Sequence, residues 1–257
     1  MTSEFTTISR PSLTAGHAAG PRGCAGAEQA ARLLPAGELA DPADPEWRAL
    51  ARTWEDLAPD DYMADGGRYR RRRYAAFRLT GEDCVRLPHR PHFQERSHNS
   101  LNGGVERWFA PMDEHLANAP LFRALVARTA ALIAPSDGSA VQDWLIEAHQ
   151  FRIEATSDEP GLPTPEGMHR DGRDAVLILY MGGQGFTGGV TRVEDAAGAL
   201  LLTHRLQHPG EALLLDDLLA RHGTSPVEAT TGRGWRDTLV LTFAALPGGP
   251  VGSRDGE

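Results

Sequence analysis

The stretch Pro163-Thr164-Pro165-Glu166-Gly167-Met168-His169-Arg170-Asp171-Gly172 leads into an apolar run, Ala-Val-Leu-Ile-Leu-Tyr at 175–180. In extended backbone alternate side chains share a face, so Arg170 points away while His169 and Asp171 point together. An imidazole and a carboxylate so placed can converge on one ion. With ten His and 18 Asp in 257 residues, about 0.7 His-x-Asp matches arise by chance. The surroundings therefore decide what the pair means.

Downstream and immediately upstream the chain reads as short strands at 144–154, 175–181, 189–194, 199–206, 211–215, 221–224 and 235–244. Gly182-Gly183, Gly188-Gly189, Gly198, Pro209-Gly210, Pro226 and the 232–234 segment supply the breaks. Short strands at such spacing predict a mainly β protein with flanking helices, a double-stranded β-helix of the jelly-roll, cupin-like kind.

His222 stands at a strand end before Gly223-Thr224-Ser225-Pro226, 51 positions after Asp171. That is room for several strands, and a jelly roll can return it to the first pair. Two His and one carboxylate on one face of an ion leave three positions open, the pattern of non-heme Fe(II) oxygenases. His169, Asp171 and His222 are the predicted ligands, and so the predicted catalytic residues. Arg236 opens the next strand, 14 positions beyond His222, and shares a face with Thr238, Val240 and Thr242, while Leu239, Leu241 and Phe243 take the other. Burying an Arg beside a Thr is costly unless an anion is held there, and a dicarboxylate co-substrate satisfies both.

Upstream, Trp47, Leu50, Trp54 and Leu57 recur at helical spacing after Asp44 and Pro45, predicting a capped amphipathic helix that ends near Pro59. Arg68-Tyr69-Arg70-Arg71-Arg72-Arg73-Tyr74 interleaves basic and aromatic residues, as single-strand nucleic-acid binders do. The acidic balance and the strand-like composition of 69–79 favour a strand instead, its arginines partly solvated and partly paired. One of them can reach a substrate carboxylate. The segment 89–107 is dense in His, Asn and Gly and reads as a loop over the site. A helix over 113–134 is expected to break at Pro120. His149, His204 and His208 are read as structural, and Asp216 and Asp217 as turn or ligand-orienting residues.

The length fits one domain over 45–246, with a flexible leader at 1–44 and a flexible tail at 247–257. The net charge of −9 gives no pull toward nucleic acid or an anionic membrane. All 26 basic residues are Arg, which excludes a Lys nucleophile or Schiff base. Cys24 and Cys84 have no metal or redox spacing, and the 1–10 segment has no secretory pattern, so a reduced, cytoplasmic setting is expected. No apolar run reaches the ~18 residues of a membrane span.

Together, 163–172, His222 and 236–243 resemble the 2-oxoglutarate-dependent, non-heme iron dioxygenases, in the branch that includes free L-isoleucine hydroxylases. Arg68-Tyr69-Arg70-Arg71, Phe93-Gln94, the 102–111 run and His149-Gln150-Phe151-Arg152-Ile153 are similar to its recurring segments, so the likeness spans 65–245. The resemblance implies Fe(II) on His169, Asp171 and His222, and 2-oxoglutarate with its far carboxylate on Arg236 and Thr238. It also implies O2 as oxidant, succinate and CO2 as co-products, and ascorbate as reductant in vitro. The expected reaction is hydroxylation of an unactivated C–H bond of a free L-amino acid or close derivative. Gln94, Asn102, Gln150 and Arg152 are the expected substrate contacts, Arg152 through the substrate carboxylate. Desaturation or ring closure by the same chemistry, a zinc hydrolase on the same ligands, and a non-catalytic binding module are the alternatives.

Overall fold

The computed structural model describes residues 27–134 and 143–246. The expected tail and the first 26 residues of the expected leader lie outside them. A short helix α1 (Ala27–Ala30) leads into strand β1 (Ala31–Leu34), and α2 (Pro45–Arg52) follows. Next come β2 (Arg70–Thr80), β3 (Asp83–Arg86), α3 (Glu114–Asn118), α4 (Pro120–Ile133) and β4 (Trp144–Thr156). The remaining strands are β5 (Ala175–Gln184), β6 (Phe186–Gly188), β7 (Thr191–Asp195), β8 (Leu200–His204), β9 (Ala212–Asp216), β10 (Ala220–Thr224), β11 (Val227–Ala229) and β12 (Arg233–Ala245).

The fold is a jelly roll. Its major sheet has seven strands in the order β1-β9-β5-β12-β4-β2-β3, and smaller sheets β10-β7-β8 and β11-β6 complete it. Every pairing between these strands is antiparallel. Strand alternation explains the two cores. Leu177, Leu179, Leu239, Leu241 and Phe243 bury against Trp47, Leu50, Phe122, Leu125 and Val126 of the helices. From the opposite face, Val176, Ile178 and Tyr180 pack on Val193 and Ala220 of the smaller sheet. Each large apolar side chain so buried contributes about 1.5–3 kcal/mol.

The helices follow the sequence signals. Asp44 Oδ1 accepts from the Glu46 backbone N–H at 2.8 Å with Pro45 at the first turn, as a capped start requires. Regular helix stops at Arg52, earlier than expected, and buried Trp54 instead ties the following turn to the sheet through its indole Nε1–H and Phe151 O at 3.1 Å. The break between α3 and α4 falls at Ala119 and Pro120.

One part of the expected leader is structural. Residues 31–34 pair with β9, Leu33 opposite Leu213, and Leu34, Leu39 and Ala40 are buried in the core. Without them, the outer edge of β9 would expose unpaired backbone and apolar surface. Its Ala- and Gly-rich surroundings hid this strand. β6 and β11 were also unpredicted, because three residues are too few to show alternation. Among the described residues, no helix is long and apolar enough to cross a membrane.

Candidate functional site

His169 and His222 belong to different segments joined by an isolated antiparallel bridge, each donating its backbone N–H to the other's carbonyl at 2.9 Å. The bridge brings their rings to a centroid separation of 4.4 Å. Asp171 reaches both: Oδ1 lies 3.8 Å from His169 Nε2, and Oδ2 lies 3.8 Å from His222 Nε2. One ligand atom from each of the three residues falls within 4.8 Å of the others, a donor set that fits one divalent ion. His169 Nδ1 sits 3.0 Å from Gly167 O, a contact that makes Nδ1 the protonated nitrogen and leaves Nε2 free to ligate.

The loop after His169 is held by one carboxylate. Asp217, 2% exposed, accepts the backbone N–H of Asp171 at 3.1 Å, of Gly172 at 2.7 Å and of Arg173 at 2.9 Å. Gly172 has φ +73°, and a Cβ there would stand 2.6 Å from His98 Cδ2, so this turn needs glycine twice over. Gln94 Nε2 reaches Asp171 Oδ1 at 3.3 Å from the loop above. Burial opposes charge on His169, but the Asp171 and Glu166 carboxylates outweigh it and raise its pKa. At His222, burial and then the neighbouring His169 push the value down to about 3.

The pocket is floored by the inward face of the major sheet, with β4 between β12 and β2. Arg236, Ile153 and Arg70 lie in one cross-strand row, and Thr238, Phe151 and Arg72 in the next. The predicted inward set Arg236, Thr238, Val240 and Thr242 lines this pocket. Arg236 is 3% exposed, and its Nε and Nη2 have no hydrogen-bond partner in the protein. It forms no ion pair among the described residues, since Asp237 turns to the opposite face and holds Arg152 at 2.7 and 2.8 Å. Burial lowers the Arg236 pKa to about 10, which still leaves it cationic at neutral pH. Gly189, at φ +66°, lets backbone approach Arg236: a Cβ there would stand 3.0 Å from its Cδ. A buried, unpaired guanidinium beside a threonine suits a carboxylate.

On the β2 side, Arg70 and Arg72 point inward, while Arg71 and Arg73 point outward to Glu154 and Asp56. Asp60 accepts from Arg70 Nε at 2.7 Å and lies 3.5 Å from Arg72 Nη1. Burial, joined by Arg72 and other cations, holds His92 and His149 well below the usual imidazole range.

Of the four expected substrate contacts, only Gln94 lines the pocket. Asn102 supports the loop, its Oδ1 accepting from Ala64 N at 3.0 Å. Gln150 and Arg152 lie on the other face of β4, Gln150 donating to Thr53 Oγ1 at 2.9 Å and Arg152 paired with Asp237. The inward face carries Glu147, His149, Phe151 and Ile153 instead, so His149 is a pocket residue as well as a structural one. Arg107 and Glu166 line the pocket without having been singled out, whereas Arg70 and Arg72, which share a face in a strand, belong to the 68–74 run of which one arginine was expected to reach a substrate carboxylate.

The sequence model of the 2OG-Fe dioxygenase family matches residues 51–242. The 3(1)-hydroxy-L-isoleucine 4-dioxygenase of Pantoea ananatis (strain AJ13355) is 26% identical over 204 residues, covering 77% of this chain and 81% of the relative. The L-isoleucine-4-hydroxylase of Bacillus thuringiensis is 25% identical over 157 residues, 60% of this chain and 65% of the relative. Among solved structures, that of a bsmA homolog from Methylobium petroleophilum PM1 has a TM-score of 0.75 and 37% identity, covering 84% of this chain and 88% of that one.

Proposed function

The chain belongs to the 2OG-Fe dioxygenase family, and on that premise we propose that it hydroxylates an unactivated C–H bond of a free L-amino acid or close derivative. The observation that carries the reading is the joint presence, in one pocket, of the converging His169, Asp171 and His222 and the unpaired Arg236. The two relatives, one named for 3(1)-hydroxy-L-isoleucine and one for L-isoleucine, support the substrate class.

In this reading His169 Nε2, His222 Nε2 and the Asp171 carboxylate hold Fe(II). Held there, Fe(II) would supply the oxidative chemistry, in which O2 and 2-oxoglutarate give succinate and CO2 as R–H becomes R–OH. The protein's own part is placement. Arg236 and Thr238 take the far carboxylate of 2-oxoglutarate, so that its keto acid end faces the three ligands. Asp217 fixes the backbone of 171–173, which sets the direction of the Asp171 carboxylate. Gln94, Asn99 and Arg107 of the segment 92–107 line the pocket, and in this reading they limit water near the reacting carbon. A zinc hydrolase on the same ligands would leave Arg236 with no task.

Aerobic incubation of the purified protein with Fe(II), ascorbate, 2-oxoglutarate and pooled L-amino acids tests the proposal, with succinate and product masses followed and His222→Ala as control. A product heavier by one oxygen, absent from the control, is expected. A product lighter by two hydrogens would replace hydroxylation with desaturation or ring closure. Succinate release uncoupled from every amino acid would overturn the substrate class.

A further inference from the structure

The β2 side of the pocket holds unfilled donors and an unfilled acceptor at the same time. A guanidinium carries five N–H donors. Arg72 directs Nη2 to His149 Nδ1 at 2.7 Å and Nη1 toward Asp60 at 3.5 Å, and its Nε is buried without a partner. Arg107 directs Nη2 to His92 Nδ1 at 3.0 Å and Gln94 Oε1 at 3.4 Å, and its Nε is likewise buried without a partner. Both side chains line the pocket, 3% and 2% exposed.

Glu166 lines the same cavity. Its Oε1 lies 3.7 Å from His169 Nε2 and accepts from Asn99 Nδ2 at 3.4 Å, while Oε2 is buried with no partner. It forms no ion pair with either arginine, although all three share one cavity. Buried opposite charges that do not touch leave both sets of lone donors and acceptors desolvated, at a cost that a ligand between them removes. Asp60 compensates these arginines only in part: it is held first by Arg70 at 2.7 Å, reaches Arg72 only at Nη1 at 3.5 Å, and forms no ion pair with Arg107.

We propose that Arg72 and Arg107 receive the α-carboxylate of the substrate and Glu166 its α-ammonium, so that the enzyme accepts the free zwitterion and rejects amino acids blocked at either group. This rests on the Fe(II)/2-oxoglutarate reading and narrows it: "free amino acid or close derivative" becomes the free amino acid. A zwitterion fits because it supplies both missing charges one carbon apart and adds no net charge to the cavity. Glu166 Oε1 stands 3.7 Å from Nε2 of a predicted iron ligand, so a substrate whose ammonium it holds keeps its α-carbon near the metal site.

The test is anaerobic equilibrium dialysis of protein loaded with Fe(II) and 2-oxoglutarate, so that binding is read without turnover. The probes are pooled free L-amino acids, the corresponding amides, which lack the carboxylate, and the corresponding L-2-hydroxy acids, which lack the ammonium. Retention is read by mass spectrometry, and 2-oxoglutarate retention is read in the same samples. At least one free amino acid is expected to bind, with its amide and its hydroxy acid each weaker by about tenfold or more, the size of a lost charge-assisted hydrogen bond. Arg107→Gln should level free acid and amide while keeping the preference over hydroxy acid; Glu166→Gln should do the reverse. Circular dichroism melts confirm that each variant is folded, and Arg72→Gln is kept as a second carboxylate-side variant. Blocked forms that bind as well as free ones would overturn the proposal. So would variants that keep full discrimination, or protein that retains 2-oxoglutarate but no free amino acid. Wild-type protein that fails to retain 2-oxoglutarate would instead remove the reading of the iron site itself, and this inference with it.

Discussion

Two arginine sites face the same pocket from opposite sides of β4, and they are built differently. On β12, Arg236 is alone: buried, unpaired, with Thr238 beside it. On β2, Arg72 belongs to a mesh with Asp60, Arg70 and His149, and its guanidinium lies 3.5 Å from the centroid of the Phe109 ring. A lone buried cation is tolerable when its anion is supplied by a molecule bound there. A partly compensated cation, set in one cavity with a carboxylate that keeps one oxygen unpartnered, suits a ligand carrying both charges. Unequal compensation thus separates a co-substrate end from a substrate end within one cavity.

The largest effect that would break this comparison lies between the two sites. Asp171→Ala should lower bound iron and succinate release by more than about 100-fold, beyond the upper range for a residue that only orients a ligand; metal analysis of the purified protein checks it. Next, Arg236→Gln should raise the KM for 2-oxoglutarate by about 100-fold, as loss of a bidentate charge contact does. Its thermal midpoint should hold or rise, because the variant removes an uncompensated buried charge. Arg72→Gln should do the opposite to stability, losing about 1–3 kcal/mol as His149 and Asp60 lose a partner. Equal melting changes in the two variants would erase the distinction drawn here.

Asp217→Asn should weaken iron retention by about tenfold and leave 2-oxoglutarate affinity of the iron-loaded protein nearly intact. Competition with a calibrated chelator measures this. The last effect is in pH. His92 and His149 are held neutral in the folded state, so below about pH 6.5 the unfolded chain takes up protons that the native state refuses. Stability should therefore fall with falling pH by about 1.4 kcal/mol per unit for each histidine, until their depressed folded values are reached. Melting curves from pH 7 to 5 should show the slope, and His92→Gln should reduce it.

Much of this arrangement was legible in the chain. Alternation in 236–243 assigned Arg236, Thr238, Val240 and Thr242 to one face and the apolar residues to the other, and the structure keeps that division. It was readable because one face is apolar at every central position, so its partner had to be the exception. In 149–153 both faces carry polar residues, and the same alternation could not say which was inward. His149 and Phe151 face the pocket, while Gln150 and Arg152 meet Thr53 and Asp237. The strand at 31–34 escaped for a different reason: four residues in an Ala- and Gly-rich context carry little periodicity, and only the open edge of β9 gives them a place.

By itself, the sequence determined the local terms: strand period, helix caps, the His-x-Asp spacing, and the need for something anionic beside Arg236. The tertiary structure alone decided which arginines stand apart from a carboxylate and which share one. Charge compensation depends on distances between strands far apart in the chain, Arg72 to His149 and Arg152 to Asp237 among them. Periodicity within a strand carries no information about those distances.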